Sequence, residues 1–191
     1  MHFKVELPPW LIEESAKLPE VMPTLESQMG AVIRFSRINF QQGTGGPFAA
    51  GVFEKETGKR VVIGVNRVVP ENNSTLHAEI VTIGMAQSIL KTFDLGGPGM
   101  PAYRLVVNAQ PCAMCYGAIP WSGVRSLAFA ASGQQVESIT GFDEGPVHPQ
   151  WKQELEKRDI EVIEGLLADE ACEVFREFVA SDSPIYNGRQ G

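Results

Sequence analysis

Cysteine and histidine are both scarce, at three each in 191 residues. Two of the cysteines stand three positions apart, and the third, Cys172, lies far along the chain. So few leave nothing for the disulfide framework of a small secreted protein. Basic residues number 16 against 23 acidic ones, for a net charge of −7. Arg34, Arg37, Arg60, Arg67, Arg104 and Arg125 are scattered rather than clustered. That argues against the phosphate-neutralising patch on which nucleic-acid binding rests. No apolar run approaches the roughly 20 residues that span a bilayer. Met1–Trp10 lacks the basic start and apolar core of a secretion signal. These absences predict a cytoplasmic protein with a small free substrate and neither nucleic acid nor membrane as partner. A length of 191 residues with 43% hydrophobic content suits one domain with a sizeable core.

Residues 1–20 read as an N-terminal extension with a short helical stretch around Leu11–Lys17 between prolines. Thr24–Phe40 follows helical spacing, and the turn Gly43–Pro47 leads into a strand over Phe48–Phe53. Thr57-Gly58 marks a hairpin returning as Arg60–Val65. His77 opens an apolar helix to about Lys91, ended by the breaker run Gly96–Gly99. Leu105–Asn108 is a short buried strand, Pro111 stands where the next helix begins, and Pro120 is expected to end or kink it. Val124–Ala130 is a strand followed by a polar loop through Pro149. Trp151–Arg158, Ile160–Ile163 and Ala168–Ala180 then read as helix, strand and closing helix. Strands alternating with helices predict an α/β sandwich around a central sheet.

The chemistry sits in His77-Ala78-Glu79 and, 32 residues after the glutamate, Pro111-Cys112-Ala113-Met114-Cys115. Together they spell H-x-E and P-C-x-x-C, the ligand pattern of zinc deaminases acting on nucleobases. A C-x-x-C alone is more often a redox pair or half of a structural zinc knuckle. No second C-x-x-C exists to close a four-cysteine site, and three protein ligands (His77, Cys112 and Cys115) leave the fourth tetrahedral position for water. Both pieces fall where a loop becomes a helix, whose free N–H groups favour anions and lower thiol pKa values. Glu79, two residues beyond a ligand, is the candidate for proton transfer. Asn66, at the end of the second strand, offers an amide to a base edge. Phe48 is either a stacking ring or ordinary core.

On these residues the chain resembles the cytidine-deaminase-like superfamily and, within it, the bacterial guanine deaminases. The resemblance runs from about Gly46 to the C-terminus and includes Gly46-Pro47-Phe48, Asn66, both zinc motifs and Gly117–Trp121. Gly141-Phe142-Asp143-Glu144 and Ile185-Tyr186-Asn187 narrow it to guanine-type enzymes. It implies a three-layer α/β/α sandwich on a mixed sheet of about five strands. It implies one zinc ion per subunit and hydrolysis of guanine to xanthine and ammonia. Another aminated ring (guanosine, an aminotriazine, a pterin) is the alternative, and a tRNA adenosine substrate is disfavoured by the charge. An inactive dimeric zinc-binding module is the non-enzyme rival. By the same resemblance a carboxylate of the Gly-Phe-Asp-Glu segment, Glu144 before Asp143, accepts from the N1–H and 2-amino donors of guanine. The family's homodimer passes its C-terminal segment over the partner's site, which would make Tyr186 a lid residue within a tail at Asp182–Gly191. Gln110 stands where the family usually has glutamate, changing a charge beside the thiols.

Overall fold

The computed structural model describes residues 4–188. In chain order they form helices α1 (Pro9–Ala16) and α2 (Leu25–Gln41), strands β1 (Ala49–Glu54) and β2 (Arg60–Val65), and α3 (Ala78–Leu90). Then come β3 (Tyr103–Ala109), α4 (Ala113–Ser122), β4 (Ser126–Ala131), α5 (Gly133–Thr140), α6 (Trp151–Glu156), β5 (Glu161–Ile163) and α7 (Ala168–Ala180). One mixed sheet runs in the order β2-β1-β3-β4-β5. β1 is antiparallel to both β2 and β3, whereas β4 lies parallel to β3 and to β5. The sheet is therefore a hairpin joined to a parallel half, with crossover helices supplying the outer layers.

Both faces of the sheet are buried, so β3 and β4 are buried from end to end and mostly apolar rather than alternating. On one face Val32 and Phe35 of α2 meet Val174, Phe175 and Phe178 of α7. On the other, Ile83 and Ala86 of α3 and Ile119 of α4 pack with Leu105 and Leu127. α3 can lie this close because β2 carries Gly64, where a Cβ would come within 2.4 Å of the Thr82 hydroxyl. Substituting Gly64 would push α3, and the His77 that precedes it, off the sheet.

Three local readings need correction. The stretch 132–149 is not all loop, since α5 occupies Gly133–Thr140. Its signal was the capping box of Ser132 and Gln135, closed by Gly141 in the left-handed region at φ 78°. Only Val136 and Ile139 mark its apolar side, too few for periodicity to show. Pro120 does not end α4: the helix runs on to Ser122 and stops at Gly123, φ 82°. Nor does Pro111 open that helix, because Cys112 is its N-cap and the first helical residue is Ala113.

Candidate active site

His77 and Cys112 occupy equivalent places on two helices. Each is an N-cap residue with extended dihedrals, φ −63° and ψ 156° at His77 and φ −64° and ψ 173° at Cys112. Neither side chain caps its own helix, so both are free to point away from it. Cys115 lies one turn into α4 and is fully buried. The ligand atoms of His77, Cys112 and Cys115 all fall within 4.8 Å of one another, and Cys112 Sγ lies 3.4 Å from His77 Nδ1. An ion bonded tetrahedrally at about 2.0–2.3 Å holds its donors roughly 3.3–3.8 Å apart, so the cluster fits. One imidazole and two sulfurs are the donors zinc prefers over magnesium or calcium.

The electrostatics match an ion-binding role. Hydrogen bonds from Cys115 and His77 hold the Cys112 thiol down at about 4 against the opposing effect of burial. The same Cys112 contact, together with burial, pushes Cys115 up, because one thiolate resists a second beside it. Burial alone would lower His77, but its bond to Cys112 and the nearby Glu79 raise it. Glu79 is only 6% exposed, and burial with the negative Cys112 pushes its carboxyl up to about 7. A carboxyl balanced near neutrality can both take and give a proton at cellular pH.

These residues open onto a cavity of about 140 Å³ at the carboxyl ends of β2 and β3, a usual place for ligands beside parallel strands. Every candidate outside the metal cluster reaches it: Phe48, Asn66, Asp143, Glu144 and Tyr186 all line its wall. Asn66 is 1% exposed. Its Oδ1 accepts from the main-chain N–H groups of Gly46 and Val68, while its Nδ2 donates to the Tyr186 hydroxyl at 2.6 Å. Phe48 packs against Phe142 and Phe175 at 5.3 and 5.4 Å, as a core ring does, and also lines the cavity.

The two acidic candidates separate. Asp143 is exposed, and its carboxylate accepts from the Gly145 N–H at 2.8 Å within its own turn. Glu144 is half-buried and pushed up to about 8 by burial, then by Cys112 and Glu79. Its carbonyl accepts from Ala113 N–H at 2.9 Å, which fixes the loop to the start of α4.

Ser74, Gln110, Phe142 and Asn187 also line the cavity but had no assigned role from sequence. Asn187 donates to Gly141 O and accepts from Asp143 N–H, both at 2.9 Å, clasping the loop that bears Glu144. Gln110 was visible as a departure from the family pattern. Its side-chain oxygen accepts from Gly133 N–H at the start of α5, 3.1 Å away, so a neutral amide does the structural work there. Ser74 gave no signal at all. The tail residue Tyr186 sits over the cavity of its own chain, its ring 5.3 Å from Phe142.

A sandwich of this topology carrying this centre defines the class of zinc-dependent deaminases. The chain belongs to the family of the cytidine and deoxycytidylate deaminase zinc-binding region, whose model it matches over residues 23–131. It is 30% identical over 118 residues to guanine deaminase of Bacillus subtilis, covering 62% of this chain and 70% of that protein. A solved guanine deaminase from Nitrosomonas europaea is 46% identical, with TM-score 0.89 over 94% of this chain and 97% of the other. A further structure, solved with 2,6-diaminopurine, is 47% identical with TM-score 0.90 over 97% of both chains. The tRNA-specific adenosine deaminase of Buchnera aphidicola is 29% identical over 120 residues, 63% of this chain and 72% of that protein.

Proposed function

We propose that this chain hydrolyses guanine to xanthine and ammonia, with His77, Cys112 and Cys115 holding one zinc ion. The observation that carries the reading is the lining of one cavity, where His77 and Cys112 of the metal cluster stand with two carboxyls, buried Glu79 and half-buried Glu144. Zinc supplies Lewis acidity that turns water into a nucleophile near neutral pH. Glu79 takes a proton from the attacking water and delivers protons to the ring nitrogen beside C2 and to the departing amine. The water oxygen becomes the C2 carbonyl of xanthine, the C2–N bond breaks and ammonia leaves. Glu144, which the positive charge of a bound zinc ion would favour as the carboxylate, accepts from the N1–H and 2-amino donors, a pairing adenine and cytosine do not offer in that form. Asn66 orients the opposite edge, Phe48 packs on the ring, and Tyr186 closes over it. Asp143, engaged in its own turn, shapes the loop.

The whole of 1–191 acts in this reading as one domain, working as a cytoplasmic homodimer that degrades purine bases. Tyr186 and Asn187 of the tail cover the cavity of their own chain. Among the described residues no helix is long and apolar enough to cross a membrane. A net charge of −7 counts against tRNA as substrate.

Glu79→Ala tests the reading against an inactive zinc-binding module. The expected outcome is loss of turnover by about 10²–10⁴-fold with zinc content and folding retained. Turnover undiminished in Glu79→Ala, or absent from the zinc-loaded parent, would contradict it.

A further inference from the structure

We propose that Asn39 is a positioning residue for the base-binding wall, and that the N-terminal helix α1 acts on that wall through it. The proposal rests on the reading of Asn66 and Phe48 as base contacts. Asn39 lies in the last turn of α2 and is wholly buried. Its amide nitrogen donates to two main-chain carbonyls, Gly46 O and Asn66 O, each at 2.9 Å. One side chain thereby ties together the turn that leads into Phe48 and the strand end that carries Asn66, 27 residues apart in sequence from Asn39 to Asn66.

The fit is tight enough to restrict the backbone. A Cβ on Gly45 would lie 2.0 Å from Asn66 O and 2.6 Å from Asn39 Nδ2, so only glycine lets the turn pass. The Asn39 side chain is fixed from its other end by Thr44. The hydroxyl of Thr44 lies 2.9 Å from Asn39 Oδ1 and 3.0 Å from Asn39 O, sharing its single proton between them. That same hydroxyl accepts from the indole N–H of Trp10 at 2.9 Å. Trp10 belongs to α1 and is steadied by an edge contact with Phe35 at 5.8 Å. A continuous line of hydrogen bonds therefore runs from Trp10 through Thr44 and Asn39 to Asn66, and from Asn66 to Tyr186. The N-terminal segment, which lies outside the residues matched by the family model, gains a task in the active site.

A side chain whose donors are all committed to main-chain carbonyls sets position, not chemistry. Loosening it should weaken base binding and leave the bond-breaking step nearly intact. Asn39→Asp would set a carboxylate against two carbonyls and threaten the fold, so the test uses Thr44→Val and Trp10→Phe. Trp10→Phe removes one polar link and Thr44→Val removes the hydroxyl with its contacts to Trp10 and Asn39, and each keeps most of the shape. The control is Glu14→Gln, which breaks the α1–α2 ion pair with Arg34 but touches no member of the line.

The measurements are KM and kcat for guanine, and amide hydrogen exchange over residues 43–48 and 65–68. Thr44→Val is expected to raise KM about three- to tenfold and Trp10→Phe about twofold, with kcat within about twofold of the parent. Their combination should add little to Thr44→Val alone, since both act through one hydroxyl. Exchange should quicken in both segments together, and Glu14→Gln should change neither readout. Unchanged KM and exchange in Thr44→Val overturns the proposal, and so does an equal effect from Glu14→Gln. If the parent does not turn over guanine, the functional reading has failed, and the exchange experiment alone decides the positioning role.

Discussion

Asn66 donates its side-chain amide to the hydroxyl of Tyr186 across 2.6 Å, joining the end of β2 to the C-terminal tail. Two residues 120 positions apart thus form one corner of the cavity. Burial pushes the Tyr186 hydroxyl up, and its neighbours Glu79 and Glu144 add to that, so it stays protonated throughout the working range. Tyr186→Phe keeps the ring on Phe142 and removes only the hydroxyl. We expect KM for guanine to rise about three- to tenfold with kcat changed less, read from initial rates. An unchanged KM would remove Tyr186 from the binding wall.

The clasp by Asn187 on the Gly141–Glu144 loop gives a second prediction. Asn187→Ala removes the donor to Gly141 O and the acceptor for Asp143 N–H. With its carboxylate-bearing loop loosened, the protein should bind a guanine analogue such as 8-azaguanine about tenfold more weakly by titration calorimetry. Affinity equal to the parent's would mean that the loop holds itself in place.

The acidic pair predicts how stability of the metal-free protein depends on pH. Glu144 moves from 4.5 up to about 8 in the folded chain, chiefly through burial. Below 4.5 the carboxyl is neutral in both states and costs nothing. As pH rises from 4.5 towards 8 the unfolded chain releases this proton first, so stability falls across that window. Cys112, held at about 4 in the folded chain, contributes the opposite sign over the same window, so the test is a difference: between pH 5.5 and 8 the urea midpoint of chelator-treated Glu144→Gln should fall less, or rise more, than that of the parent. A slope unchanged in Glu144→Gln would show that other groups cause it.

Much of the centre was legible because its residues are local signals. H-x-E and P-C-x-x-C announce themselves through residue type and spacing, and the structure seats His77 and Cys112 as N-cap residues of successive helices on the sheet. The closing helix Ala168–Ala180 keeps the bounds its pattern gave, since Val174, Phe175 and Phe178 recur at helical spacing. What stayed hidden depends on distant contact. α5 has too short an apolar side, and its evidence lay in a cap. Ser74 and Asn187 reach the cavity only because loops far apart in sequence fold over it. Gln110 could be seen to differ from the family pattern, but its bond to Gly133 could not. Asp143 and Glu144 are alike in sequence, and only the fold shows that the Asp143 carboxylate is bonded within its own turn while Glu144 is half-buried.

Removal of the metal should be as informative as substitution. Chelation of the purified protein should release one zinc ion per chain and abolish turnover, with activity restored by added zinc. Cys112, held at about 4, should then react with a thiol reagent faster than an ordinary cysteine, and zinc should protect it. Activity that survives complete loss of zinc would contradict the assignment of the His77, Cys112 and Cys115 cluster.

The most direct measurement is ammonia release, with ultraviolet spectra, from the zinc-loaded protein given guanine, guanosine, adenine, cytosine and an aminotriazine in separate assays. The account predicts that guanine becomes xanthine with one ammonia per ring, while adenine and cytosine are left untouched. Turnover of another ring with none of guanine would contradict it.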